Sequence, residues 1–299
     1  MLLCSMAGAS VATIASTGCG DGGGAACTLD EDCASGFCRA DGTCGTATID
    51  AAPGDDALPG DAPVGLCTPN HDGLLVRGEI PLAAGRMATF RVATAPTFAT
   101  AGTTDASGRR WDLTGALAGD QDRVLTLLAP TGAWWAASFP TATYATTLAA
   151  GSDLLGVFAL TDTELTLLGV VSPAAGTSRT ELTYDPPAKI LALPIAEGGT
   201  WTSTSTVSGV AQGITIFVPY TEVYASTVDQ AGTMVTPYGA FPSVRIATDL
   251  TRTVGFTTST KRTFAWMAEC FGAIANASSQ DNETAAEFTD PAEVRRLVP

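Results

Sequence analysis

Only one histidine, His71, is present in 299 residues, so any Ser/His/Asp or Cys/His device would have to be built around it. It stands in Pro69-Asn70-His71-Asp72-Gly73, which is turn chemistry, and no G-x-S-x-G elbow occurs anywhere. Zinc proteases of the H-E-x-x-H type need two histidines and are excluded. Two carboxylates can hydrolyse a glycoside without histidine. The candidates Glu164, Glu181, Glu197, Glu222 and Glu269 are scattered along the chain, which leaves a secreted carboxylate-based polysaccharide hydrolase as an alternative rather than the main reading. The same turn offers a weak calcium candidate: Asn70, Asp72, Gly73 and Glu79 match positions 3, 5, 6 and 12 of an EF-hand loop, but Thr68 occupies position 1. Trp134 and Trp135 are candidate ligand contacts. Neighbours on a strand point to opposite faces, so one ring would enter the core while the other lines a cleft, or both are buried. No catalytic residue and no cofactor is assigned, and the expectation is a protein that is not an enzyme.

Eight cysteines carry more information. Cys27, Cys33, Cys38 and Cys44 crowd into 27–44, where only Leu29 and Phe37 are sizeable apolar residues. Such a unit must be stapled, and two local disulfides are expected, with all three pairings open. A four-cysteine zinc site is the rival, but it favours closer C-x2–4-C pairs. Cys67 and Cys270 are expected to pair with each other, closing a loop of about 200 residues and contributing up to about 5 kcal/mol by loop-closure entropy. Disulfides on this scale suit an oxidising compartment.

An export address is present. Residues 2–18 are an uncharged, small-residue-rich apolar run, too short for a comfortable transmembrane helix, and read as a signal peptide. No Lys or Arg precedes Arg39, so a basic leader would lie upstream of the present first residue. Ser16-Thr17-Gly18-Cys19-Gly20 resembles the lipobox of bacterial lipoproteins, with Ser16 where Leu is usual. The resemblance implies acylation of Cys19 and a membrane attached through that lipid; an ordinary cleaved signal with a secreted product is the alternative.

The elements that would position these groups follow from composition. The chain is 45% hydrophobic, enough for a core, and its net charge is −15 although only 15% of residues are charged. Only two of its 15 basic residues are Lys, and no basic stripe exists to neutralise phosphates, so nucleic acid is excluded as a partner. Residues 19–26 form a Gly-rich tether, 27–44 the Cys-rich unit, and 45–66 an acidic Pro/Gly linker. From Cys67 onward the texture is β-type: Met87–Thr94, Arg123–Leu128, Leu154–Leu160, Leu165–Val171, Ile190–Leu193, Ile214–Val218 and Ser243–Ala247 read as strands. Pro186-Pro187 suggests a boundary, giving β-rich subdomains 67–185 and 186–299. Asp290-Pro291-Ala292-Glu293 before Val-Arg-Arg-Leu reads as a short terminal helix or an edge strand. The expected fold is all-β, with mainly antiparallel and curved sheets. A 7% aromatic content lacks the girdles of a membrane-spanning barrel.

The order CTPNHDG, RWDLTGAL, LLGVVSPAAGTSRTELTYDPP, ECFGAIANASSQDNE and AEVRRL resembles the body of lipoproteins that occur in many copies in myxobacteria and similar soil bacteria, over most of 67–299. The passage VYASTVDQAGTMVTPYGAFPSVRI (223–246) is similar to a hairpin signature of envelope proteins, whose relatives form curved, half-open sheets able to hold lipid-like molecules. Together these imply an exported cell-envelope lipoprotein acting as a binding or structural module for an unknown ligand or envelope partner. They also imply, as an alternative, a carrier of an apolar ligand.

Overall fold

Runs of Thr, Val, Ile and aromatic residues with a period of two become strands wherever one face can be buried. The computed structural model describes residues 67–106, 108–214 and 217–299. Cys19, Cys27, Cys33, Cys38 and Cys44, with the signal, tether and linker, lie outside the described residues. Within them the strands are, in chain order, β1 (Leu74–Leu75), β2 (Met87–Thr94), β3 (Thr103–Asp105), β4 (Gly108–Asp112), β5 (Gln121–Thr126), β6 (Tyr144–Thr147), β7 (Leu155–Leu160), β8 (Glu164–Val171), β9 (Glu181–Ala192), β10 (Ile195–Ala196), β11 (Thr200–Val210), β12 (Tyr220–Thr236), β13 (Gly239–Val254), β14 (Thr257–Ala268), β15 (Gly272–Ser278) and β16 (Glu293–Leu297). Arg77–Glu79 and Ala136–Ser138 form short 3-10 turns, and no α-helix occurs among the described residues.

Twelve strands follow one another in chain order round a single antiparallel ring, from β2 through β5 to β9 and β11 to β16, and β16 returns to β2. The seam lies between β5 and β6. There the Leu128 N–H donates to the Ala145 carbonyl at 2.7 Å and the Ala145 N–H returns a bond to Leu128 at 2.9 Å. A near-closed up-and-down barrel results, in which no long edge is left to pair with another chain. The all-β expectation holds, whereas the two expected subdomains give way to one ring, and the described residues 67–299 form one unit. Pro186 and Pro187 fall inside β9, where pairing with β8 skips from Thr183–Gly169 to Ala188–Leu167. The prolines occupy that irregularity and remove no ladder hydrogen bond. The terminal segment is neither helix nor edge: β16 pairs with β15 on one side and β2 on the other.

Inside and outside are chemically distinct. On β11 the outward row is Thr202, Thr204, Thr206 and Ser208, mostly exposed, while Trp201, Ser203, Ser205 and Val207 face inward. Val207 joins Phe158, Leu165, Leu167, Val228, Val244, Ile246 and Met267 in one interior cluster. A largely apolar interior, with a polar group around Glu222 and Arg252, and an outer face rich in Thr on β11 differ from an outer-membrane barrel, whose lumen is polar and whose outer band is apolar. Two outer layers add to this core. The excursion between β2 and β5 lays Phe98 and Trp111 on Phe264 and Trp266, with the Trp111 and Trp266 ring centroids 5.6 Å apart. The connection from β5 to β6 lays Trp135 and Phe139 on Val157, Leu168 and Val171. Strands β7 and β8 are therefore covered on both faces, which explains their continuous apolar sequences.

Residues 67–82 turn back over one mouth of the ring. Leu75 and Ile80 enter the interior cluster, and β1 pairs with β10. Cys67 is bonded to Cys270 in the turn between β14 and β15. The Cys270 N–H donates to the Glu79 carbonyl at 2.8 Å, and the Asn70 and His71 N–H groups donate to Glu269 Oε2 at 2.8 and 3.0 Å.

Candidate functional site

The residues singled out from sequence do not assemble into one centre. The Asn70 side chain engages Asp72, and Asp72 Oδ1 accepts the Leu74 N–H at 2.8 Å. Glu79 turns inward instead and accepts the Val76 N–H at 3.0 Å. These three thus shape the turn and its 3-10 continuation rather than converging on a cation, and among the described residues no group of His, Cys, Asp and Glu is arranged as metal ligands. His71 lies exposed in the turn with φ of 56°.

Trp134 and Trp135 lie on a turn rather than on a strand, leading into Ala136–Ser138. Trp135 is buried against Phe139, with ring centroids 6.5 Å apart. The half-buried Trp134 donates its indole N–H to the Ser172 carbonyl at 3.1 Å, and the Arg179 guanidinium lies 4.9 Å from its ring centroid. Both rings are therefore engaged in packing, and the ring nearer solvent is covered by a cation.

Nor do the acidic candidates form a catalytic pair. Glu164 bridges to Lys189 at 2.9 Å, and Glu181 accepts from Ser138 and Arg179. Glu269 is taken up by backbone N–H groups of the mouth segment, and Glu197 is exposed after β10. Glu222 is fully buried on the inner face of β12, directly opposite Arg252 on β13. It accepts from Arg252 Nε at 2.7 Å and from the Tyr224 hydroxyl at 2.6 Å. Tyr184 and Tyr220 adjoin it. Burial first, and then nearby negative charge including Glu222, pushes the Tyr184 and Tyr224 hydroxyls up, so both remain protonated donors at neutral pH. Of the five, Glu164, Glu181 and Glu222 are paired with basic side chains, Glu269 is bound by backbone N–H groups and Glu197 stands exposed.

A feature that sequence reading missed lies at the mouth beside the disulfide. Inward-facing Ala88 and Phe90 of β2, Leu125 and Leu127 from β5 and its continuation, Ala273 and Leu297 surround a hollow of about 280 Å³. Pro81, Leu82, Arg86, Met87 and Phe271 form its rim. The mouth segment fills the rest of this end with Leu75 and Ile80 but passes beside this quarter. A smaller hollow of about 200 Å³ lies at the seam and has Phe90 and Leu125 in its lining as well. No local motif marks the site, because its lining comes from residues more than 200 positions apart.

No protein-family model and no curated protein matches this chain. Among solved structures it is similar to a candidate exported protein with a YmcC-like fold from Bacteroides fragilis, at 10% identity and a TM-score of 0.25, covering 72% of this chain and 96% of that one.

Proposed function

We propose that this chain is an exported lipoprotein of the bacterial cell envelope, held to a membrane through Cys19, whose barrel serves as a binding or structural module rather than an enzyme. The observation that carries the reading is the Cys67–Cys270 disulfide, which spans 203 positions and ties the start of the barrel to the turn between β14 and β15. Such a bond persists outside the reducing cytoplasm. The lipobox-like Ser16–Gly20, the four clustered cysteines and the likeness to myxobacterial multi-copy lipoproteins support the same address. The Thr-rich outer face argues that attachment comes from a lipid on the preceding chain and not from the barrel wall.

Radiolabelled palmitate supplied to cells making the full chain tests this. Label should enter the protein and disappear in Cys19→Ser; label that persists in the variant, or never enters, overturns the anchor. Alkylation of unreduced protein from the same cells should leave Cys67 and Cys270 unmodified. Full modification would place the chain in a reducing compartment and overturn export.

A further inference from the structure

We propose that the hollow beside the Cys67–Cys270 disulfide binds a single-chain fatty carboxylate, with the alkyl chain against Phe90 and the carboxylate on Arg86. The first support is shape and lining. The hollow is inside the barrel mouth, is walled by Phe90, Leu125, Leu127 and Leu297, and measures about 280 Å³. At roughly 30 Å³ for a water-sized volume, close to that of one methylene, it accepts about nine such groups.

The second support is charge. Every other described Lys and Arg side chain donates a hydrogen bond or forms an ion pair, whereas Arg86, at the rim, has no polar side-chain partner among the described residues. In a chain of net charge −15, an unpaired guanidinium beside an apolar hollow is a distinct signal. Its planar fork matches a carboxylate with two parallel hydrogen bonds. The same feature selects among apolar occupants. Acyl chains carried on Cys19 would be esters and an amide, with no carboxylate for Arg86, so a free acid is the better fit. Met87, 69% exposed at the rim, supplies a flexible and polarisable edge that can close over a chain.

The proposal stands apart from the anchor, since palmitate labelling at Cys19 reads one and titration with a soluble acid reads the other. Purified full-length protein is titrated calorimetrically with decanoate below its micellar concentration at neutral pH. One saturable site is expected. Arg86→Gln, a change at an exposed position, should weaken it at least about tenfold, the usual scale for losing a charge-assisted bond. Decanol, which keeps the chain without the charge, should bind the unaltered protein about as weakly as decanoate binds that variant. Ala88→Phe and, separately, Ala273→Leu fill the hollow and should abolish uptake while thermal unfolding stays cooperative. The absence of saturable heat, including the case in which the segment before Cys67 already covers the hollow, overturns the proposal. So does an Arg86→Gln variant with unchanged affinity, or undiminished binding by a folded filler variant.

Discussion

Cys67 is joined to Cys270 with the two Cα atoms 5.4 Å apart, and three hydrogen bonds, two from backbone N–H groups to the Glu269 carboxylate and one from the Cys270 N–H to the Glu79 carbonyl, fasten the mouth segment to the same turn. The bond closes a loop that contains nearly the whole barrel, so its main thermodynamic effect is on the unfolded chain. Reduction, or Cys67→Ser with Cys270→Ser, is expected to lower stability by about 3–5 kcal/mol. For a domain of this size that is a fall of roughly 6–20 °C in Tm. Calorimetry with and without reductant measures it, and an unchanged midpoint would contradict the loop-closure account.

Arg245 on β13 is 1% exposed and is held by two carboxylates, Asp229 at 2.6 and 3.0 Å and Glu287 at 2.6 and 3.0 Å, while its guanidinium lies 4.1 Å from the Phe264 ring centroid. Arg245→Met keeps much of the volume but leaves both acids without their cation. A loss of about 3–5 kcal/mol in urea unfolding is expected, larger than that of Glu287→Gln alone.

Gly169 allows β8 to pass under the outer layer. A Cβ built there would meet the Phe139 ring and the Leu182 carbonyl, both at 2.4 Å. Gly169→Val is expected to destabilise by about 1–3 kcal/mol or more, as overpacking does. Phe139→Ala should cost about 3 kcal/mol by opening a cavity. Combined, the two should cost less than their sum, because removing the ring relieves one of the two clashes.

Removing Arg252 isolates a buried charge. Arg252→Ala removes the cation from Glu222, which is fully buried in the intact protein and keeps only tyrosine hydroxyls such as that of Tyr224 as side-chain donors. Because Arg252 itself is 46% exposed, the loss is expected at about 2–3 kcal/mol, near the low end for a broken buried pair. Glu222→Gln in the same background should recover part of it, which a simple packing role for Arg252 would not produce.

Stability should fall at both extremes of pH. Burial raises the carboxyls of Asp120 and Glu287, but bonds from Arg296 and from Arg245 and Thr100 outweigh it, and both end below the ordinary range. The unfolded chain therefore binds protons more tightly, so their contribution is complete above about pH 5 and is lost as pH drops through the folded values. Tyr184 and Tyr224 are raised, chiefly by burial, so the unfolded chain loses these protons first and stability declines from about pH 10 upward. Urea midpoints between pH 2 and 11 should form a plateau with both shoulders; a midpoint still rising below about pH 4 contradicts the ion-pair assignment.

Legibility varied with how each strand is buried. Strand β2 occupies the residues expected, and the apolar runs of β7 and β8 were visible because both of their faces are covered. Within the long strands β12 to β14, the hairpin-like passage 223–246 falls on β12, its turn and β13, but Ser243–Ala247 was the one apolar run to stand out, since the outward rows carry Thr, Asp249 and Arg262. Ile214 and Val218 read as a strand but lie exposed in the connection between β11 and β12, where no neighbouring strand accepts them.

By itself, the sequence determined the β class, through period-two patterning and abundant Thr, and it determined an oxidised body through its cysteines, because both depend on residue type and local spacing. Tertiary structure alone decided that the strands close into one ring, that Pro186-Pro187 is a bulge and not a boundary, and that Arg86 meets Phe90, Leu125 and Leu297 at one mouth. Ring closure depends on the pairing of β16 with β2, about 200 positions apart, and no local pattern encodes which distant strand will supply the missing hydrogen bonds.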